Sequence, residues 1–168
     1  MRTNKMLGTA MESIYQFQIF ADYFQFVLMD EESDDDFSEI WTDEAFERML
    51  AVGRKAVCPG TLRNVDVLVE VNIKDSEPSI DLSKYEHAAE ACLEISSGKL
   101  VVMNCTDDLS NAPRIALEPG IYRVLFLVSG IETIKTEWEP ANDKYEIYLW
   151  RSNKVNPNLL KDWRLSNA

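Results

Sequence analysis

The sequence predicts a mainly β protein: an antiparallel β-sandwich of roughly eight strands with one or two short helices. Three observations carry that expectation. Apolar and polar residues alternate over short runs, most cleanly where Val65, Val67, Val69, Val71 and Ile73 face away from Asp66, Leu68, Glu70 and Asn72. Turn residues such as Pro59-Gly60 and Pro119-Gly120 punctuate these runs, and only the segment opened by Thr42 carries strong helix signals. A closed barrel is the main competitor to the sandwich.

Taken in order, Ile14 to Phe20 alternates with Tyr15, Phe17 and Ile19 on one face and Gln16 and Gln18 on the other, which reads as a half-buried strand. Tyr23 to Met29 repeats the pattern with Phe24, Phe26 and Leu28 inward, after a turn or bulge at Ala21-Asp22. Thr42 is placed to cap a helix whose first turn holds Asp43 and Glu44, favoured there by the helix dipole. Ala45, Phe46, Met49 and Leu50 form its apolar face, and Gly53 marks its end.

Cys58-Pro59-Gly60-Thr61 reads as a type II turn. Ser83 to Ile95 is compatible with a helix, through a Ser83/Glu86 capping box, but it also alternates through His87, Ala89, Ala91, Leu93 and Ile95. Ser97-Gly98 then suggests a hairpin into the apolar run Leu100 to Asn104, which favours strand. That register makes Cys92 and Cys105 same-face diagonal neighbours without opposing them, so no disulfide is predicted; the odd count of Cys58, Cys92 and Cys105 points to reduced core thiols. Ile121 to Val128 is apolar on both faces apart from Arg123, as an interior strand is, and Tyr145 to Trp150 is a further strand. Leu159, Leu160, Trp163 and Leu165 give the tail enough apolar surface for a short docked helix. The expected organisation is a loosely docked or disordered N-terminus over 1–12, one sandwich domain over 13–151 and a C-terminal tail over 152–168.

Composition narrows function. The 168 residues, 46% of them hydrophobic, suffice for one core. Twenty-nine acids against 17 bases give a net charge of −12, which excludes a duplex-binding role and makes a basic protein the natural partner. No signal-like or membrane-length apolar run occurs, so a cytoplasmic location and no membrane partner are expected, with a monomer or weak homodimer as the oligomeric state.

The sharpest asymmetry runs from Asp30 to Glu47, where ten carboxylates (30, 31, 32, 34, 35, 36, 39, 43, 44 and 47) occur without a Lys or Arg. A calcium loop would need Gly at its sixth position and Glu at its twelfth, but these hold Asp35 and Trp41, so no metal site is assigned. His87 is the sole histidine and has no nucleophile motif around it, so no catalytic residue or cofactor is assigned. The segment reads instead as a surface for a basic protein, with Glu31, Glu32, Asp34, Asp35 and Asp36 supplying charge and Phe37 and Trp41 supplying apolar anchors.

Several fragments also carry a family resemblance: Tyr15-Gln16-Phe17, Trp41-Thr42-Asp43-Glu44-Ala45, Tyr85-Glu86, Leu117-Glu118-Pro119-Gly120-Ile121-Tyr122 and Asp143-Lys144-Tyr145. Their order and spacing resemble the competence protein J family of small bacterial proteins, whose named member inhibits the DNA-entry nuclease of competent cells. The similarity spans Tyr15 to Trp150. The longer acidic insertion before Trp41 and the tail after Arg151 depart from it. The resemblance implies a β-rich, non-enzymatic binding protein of the nuclease-inhibitor or immunity type; the alternative is a small-ligand or carbohydrate-binding sandwich that uses exposed aromatics.

Overall fold

A computed structural model describes residues 2–7 and 10–165. Its elements are β1 (Arg2–Leu7), β2 (Ala10–Phe20), β3 (Val27–Asp30), α1 (Asp43–Arg48), β4 (Leu50–Val52), β5 (Ala56–Pro59), β6 (Asp66–Ile73), β7 (His87–Ile95), β8 (Lys99–Met103), β9 (Arg114–Ala116), β10 (Gly120–Ser129), β11 (Lys144–Arg151) and β12 (Asn158–Lys161). The strands form a seven-stranded sheet in the order β1-β2-β6-β11-β10-β7-β12 and a five-stranded sheet in the order β4-β5-β3-β8-β9. The architecture is therefore the expected sandwich. One pairing departs from the antiparallel rule: β6 and β11 run parallel at the centre of the large sheet.

Alternation explains the layers. In β6 the inward series Val67, Val69, Val71 and Ile73 joins the main core between the sheets, with Phe26, Phe126 and Tyr145 fully buried among it. Removing one such side chain from water stabilises the fold by about 1.5–3 kcal/mol. The small sheet has a second covered face. Val27, Met29, Ala51, Cys58 and Val101 pack there beneath Phe37, Ile40 and Trp41, so the acidic segment is a lid over the sheet's outer side. Double-sided burial is why Val27–Asp30 and Leu100–Met103 are almost uninterruptedly apolar.

Several local expectations are corrected. Ser97-Gly98 does not close a hairpin: the reversal, with Gly98 at φ +79°, carries the chain from β7 in the large sheet to β8 in the small one. Turn chemistry sets the reversal, not the sheet that receives the next strand. The Cys92 and Cys105 neighbourhood falls with it, since Cys105 hydrogen-bonds the Asp22 carbonyl while Val155 donates to Cys92 Sγ, and all three cysteines are free.

The Pro-Gly pairs are not type II turns. Pro59 and Gly120 lie within strands, and neither Gly60 nor Gly120 has a positive φ. Gly60 sits instead at a close approach: a Cβ there would lie 3.3 Å from the Trp41 ring and 3.4 Å from the Met49 carbonyl oxygen, tighter than an ordinary contact. The chain from 23 to 29 is a strand only from Val27, because Asp22–Phe24 forms a 3-10 turn.

The helix is capped as expected, with Thr42 Oγ1 accepting the Ala45 N–H, but it ends at Arg48, five residues before Gly53, with Met49 in the left-handed region. The tail forms the edge strand β12 against β7 in place of a helix, because that edge offers unpaired backbone groups. At the other end, Arg2–Leu7 pairs antiparallel with β2, against the expectation of a loosely docked segment. No helix among the described residues is long and apolar enough to cross a membrane.

Candidate binding groove and its acidic rim

The acidic segment divides into carboxylates committed to the fold and carboxylates left to solvent. Asp30 is fully buried at the end of β3. Its Oδ1 accepts the Ser96 and Ser97 N–H groups, each at 2.9 Å, and the Ser97 hydroxyl at 2.8 Å, while its Oδ2 accepts the Glu32 N–H and the Ser96 hydroxyl. Burial opposes its ionised form, but donors from Ser97, Glu32 and Ser96 outweigh it and hold the carboxyl below its ordinary range. Asp30 thus pins the β7–β8 crossover between sheets.

Asp35 does the same at a second turn, accepting the Arg54 and Lys55 N–H groups at 2.9 and 2.8 Å and the Ser33 hydroxyl at 2.8 Å. Its carboxyl is likewise held low, against the opposing effect of burial. A Cβ on Gly53 would lie 2.6 Å from that carboxylate, so the glycine that had suggested a helix end is the floor of the Asp35 site. Glu31 lies 3.6 Å from Lys99 and 3.8 Å from Arg114. Of the expected charged site residues, Glu32, Asp34 and Asp36 are exposed, as are Glu39, Asp43, Glu44 and Glu47 beyond them. Asp36 is bonded by the Ser38 hydroxyl and N–H, which lower its pKa.

The two expected anchors also separate. Phe37 is partly buried on the lid's inner side, packed against the outer face of the small sheet. Trp41 stands at the wall of an open, largely apolar cavity of about 530 Å³, with Tyr23, Phe24, Phe46, Met49, Leu62 and Trp163. Its Nε1–H donates to Gln25 Oε1 at 2.9 Å and its ring lies 5.1 Å from that of Phe46. Tyr23 is 71% exposed and Phe46 62%, so the helix face expected to be buried keeps Ala45 and Met49 inside and turns Phe46 out.

Three residues of this cavity, Tyr23 (φ 56°), Phe24 (φ 59°) and Met49 (φ 56°), are the positive-φ non-glycine residues of the described chain. For bulky L-residues that conformation costs on the order of 1–3 kcal/mol each, and it persists because surrounding bonds fix it. Phe24 accepts from Thr61 N–H at 2.9 Å and Met49 from Gly60 N–H at 2.7 Å, which ties both strained turns to one segment.

Two buried polar groups hold the cavity walls. Leu62 N–H donates to the Tyr145 hydroxyl, which donates to Asp143, itself paired with Arg63 at 2.6 Å in the interior. His87, fully buried, bonds through Nε2 to the Arg48 carbonyl at 2.6 Å and through Nδ1 to Trp163 N–H at 3.5 Å, joining the end of α1 to the tail. Those partners require the neutral Nε2–H tautomer, and burial lowers the pKa accordingly. Sequence reasoning found Trp41 but missed Tyr23, Phe24 and Phe46 as surface groups. Their alternation or helical spacing resembled core, and positive φ leaves no mark on a sequence.

No established family profile matches the chain, and no curated protein sequence matches it. Two solved structures share its fold. The crystal structure of ComJ, inhibitor of the DNA-degrading activity of NucA, from Bacillus subtilis, superposes with a TM-score of 0.62 at 18% identity, covering 90% of this chain and 99% of ComJ. A structure described as crocagin biosynthetic gene J superposes with a TM-score of 0.57 at 16% identity, covering 84% of this chain and 99% of that one. The chain has a ComJ-like fold.

Proposed function

We propose that this chain is a non-enzymatic protein-binding module, an inhibitor-like factor acting on a basic enzyme such as a nuclease. The observation that carries the reading is the exposed acidic run: Glu32, Asp34, Asp36, Glu39, Asp43, Glu44 and Glu47 all face solvent, and no Lys or Arg lies between them in sequence. Such a surface attracts a cationic partner and speeds encounter. Likeness to ComJ, an inhibitor of a DNA-degrading activity, supports the nuclease as the class of partner.

The test is stopped-flow association with a purified cationic DNA-degrading nuclease, using a variant with Glu32→Gln, Asp34→Asn and Asp36→Asn. Asp30 and Asp35 stay untouched because they hold the fold together. Association should slow by about tenfold at low salt and lose much of its ionic-strength dependence. An unchanged rate removes the acidic segment from the mechanism.

The cavity favours a second reading, a small-ligand or carbohydrate-binding sandwich, because Tyr23 and Trp41 line it. Saturable quenching of tryptophan fluorescence by a neutral oligosaccharide, independent of the three acid substitutions, would decide for it.

A further inference from the structure

We infer that the groove between Tyr23, Trp41 and Phe46 seats one large apolar side chain presented by a cationic protein surface. The inference deepens the proposed function and rests on it, because it names where on the molecule the basic partner is anchored and by what chemistry.

Size and exposure come first. The cavity, about 530 Å³, is mostly apolar, and its mouth leaves Tyr23 71% and Phe46 62% exposed. Contiguous aromatic surface of this kind is costly in water and marks interaction sites. The strain at Tyr23, Phe24 and Met49 points to the same place, since such conformations cluster at ligand clamps and binding sites.

Charge then selects the occupant. Phe46 sits on α1 beside exposed Asp43, Glu44 and Glu47, and Ser38 at the cavity wall is bonded to exposed Asp36. The cations at this edge are engaged: the Arg164 guanidinium pairs with Asp162 at 2.8 Å and donates to the Glu47 carbonyl at 2.8 Å, and Arg48 donates to the Leu50 carbonyl while lying close to Glu44 and Glu47. An apolar pocket bordered by exposed carboxylates on its α1 side and beside Ser38 complements an aromatic or long aliphatic side chain flanked by Lys or Arg. A second copy of this chain, with its net charge of −12, would bring like charge to the same rim. The arrangement is that of a buried anchor surrounded by a polar rim, where a few residues carry most of the binding energy.

The experiment is fluorescence anisotropy of the full chain with three labelled synthetic peptides: lysine-rich with one central tryptophan, lysine-rich with alanine in its place, and glutamate-rich with the same tryptophan. The first should bind about tenfold or more tightly than either of the others. Phe46→Ser and Tyr23→Ser should each weaken it by about tenfold, with thermal unfolding confirming that the fold survives loss of these exposed rings.

Equal binding of the tryptophan and alanine peptides, or indifference to both groove substitutions, overturns the inference. Equal binding of the acidic and basic tryptophan peptides overturns it in favour of a charge-blind ligand pocket. A nuclease assay separates it from the functional reading. If the chain blocks DNA degradation and Phe46→Ser blocks it equally well, the groove is overturned and the inhibitor reading stands. If the basic tryptophan peptide binds through Phe46 while DNA degradation is untouched, the nuclease reading falls and the groove stands.

Discussion

The lid from Asp30 to Asp36 and the groove around Phe46 adjoin each other and solve opposite problems. The lid is dense in charge, yet its inner carboxylates are consumed by the backbone groups of two turns. The groove is apolar and strained, yet it is left open. The contrast teaches that charge counted along a sequence is not charge available to a partner, and that an aromatic at core-like spacing is not thereby in the core.

The largest break in this contrast should come from Asp30→Ala. It strips acceptors from the Ser96 and Ser97 N–H groups at a fully buried site and should destabilise the fold by about 3 kcal/mol or more, read by urea unfolding.

Next is pH. His87 is held neutral in the folded protein, so its folded pKa lies below that of the unfolded chain, ordinarily about 6.5. As pH falls below about 6.5 the unfolded chain takes up a proton that the folded one refuses, and stability should drop by up to about 1.4 kcal/mol per pH unit until the folded pKa is reached. The stabilisation is complete at neutral pH and above. Urea midpoints across a pH series should show this slope in the parent chain and lose it in His87→Gln.

Asp34 and Asp35 give the sharpest paired comparison, being adjacent and chemically identical. Asp35→Asn should cost about 1–2 kcal/mol, because the charge that draws in the Arg54 and Lys55 N–H groups is lost. Asp34→Asn should stay within about 0.5 kcal/mol in the same unfolding assay. Between these in size but opposite in sign, Tyr23→Gly should raise stability by up to about 1 kcal/mol by relieving the left-handed backbone, while weakening any ligand of the groove.

What was legible in the sequence was local and periodic. Alternation located Val65 to Ile73 and Tyr145 to Trp150, and Thr42 with its following acids located the helix start, because the physics of each is written within a few residues. The crossover at Ser97-Gly98 was misassigned because its anchor, Asp30, is more than sixty residues away. Gly53 and Gly60 read as helix stop and turn because their true neighbours, Asp35 and Trp41, arrive from elsewhere in the chain. Short strands such as β4 and β9 span three residues each and offer no period to detect. Trp41 was identified because its neighbours are distinctive; Tyr23 and Phe46 were not, since only the folded backbone decides which way they point.

The parallel seam between β6 and β11 has a consequence for the order of events during synthesis. It joins Leu68–Ile73 to Lys144–Leu149 and is the sole link in the large sheet between β1-β2-β6 and β11-β10-β7-β12 among the described residues. On a ribosome the first group is complete long before the second exists, so β6 waits with one edge unpaired until the last quarter of the chain emerges. Closing that distant contact late costs loop entropy and makes folding slow for a chain of this size.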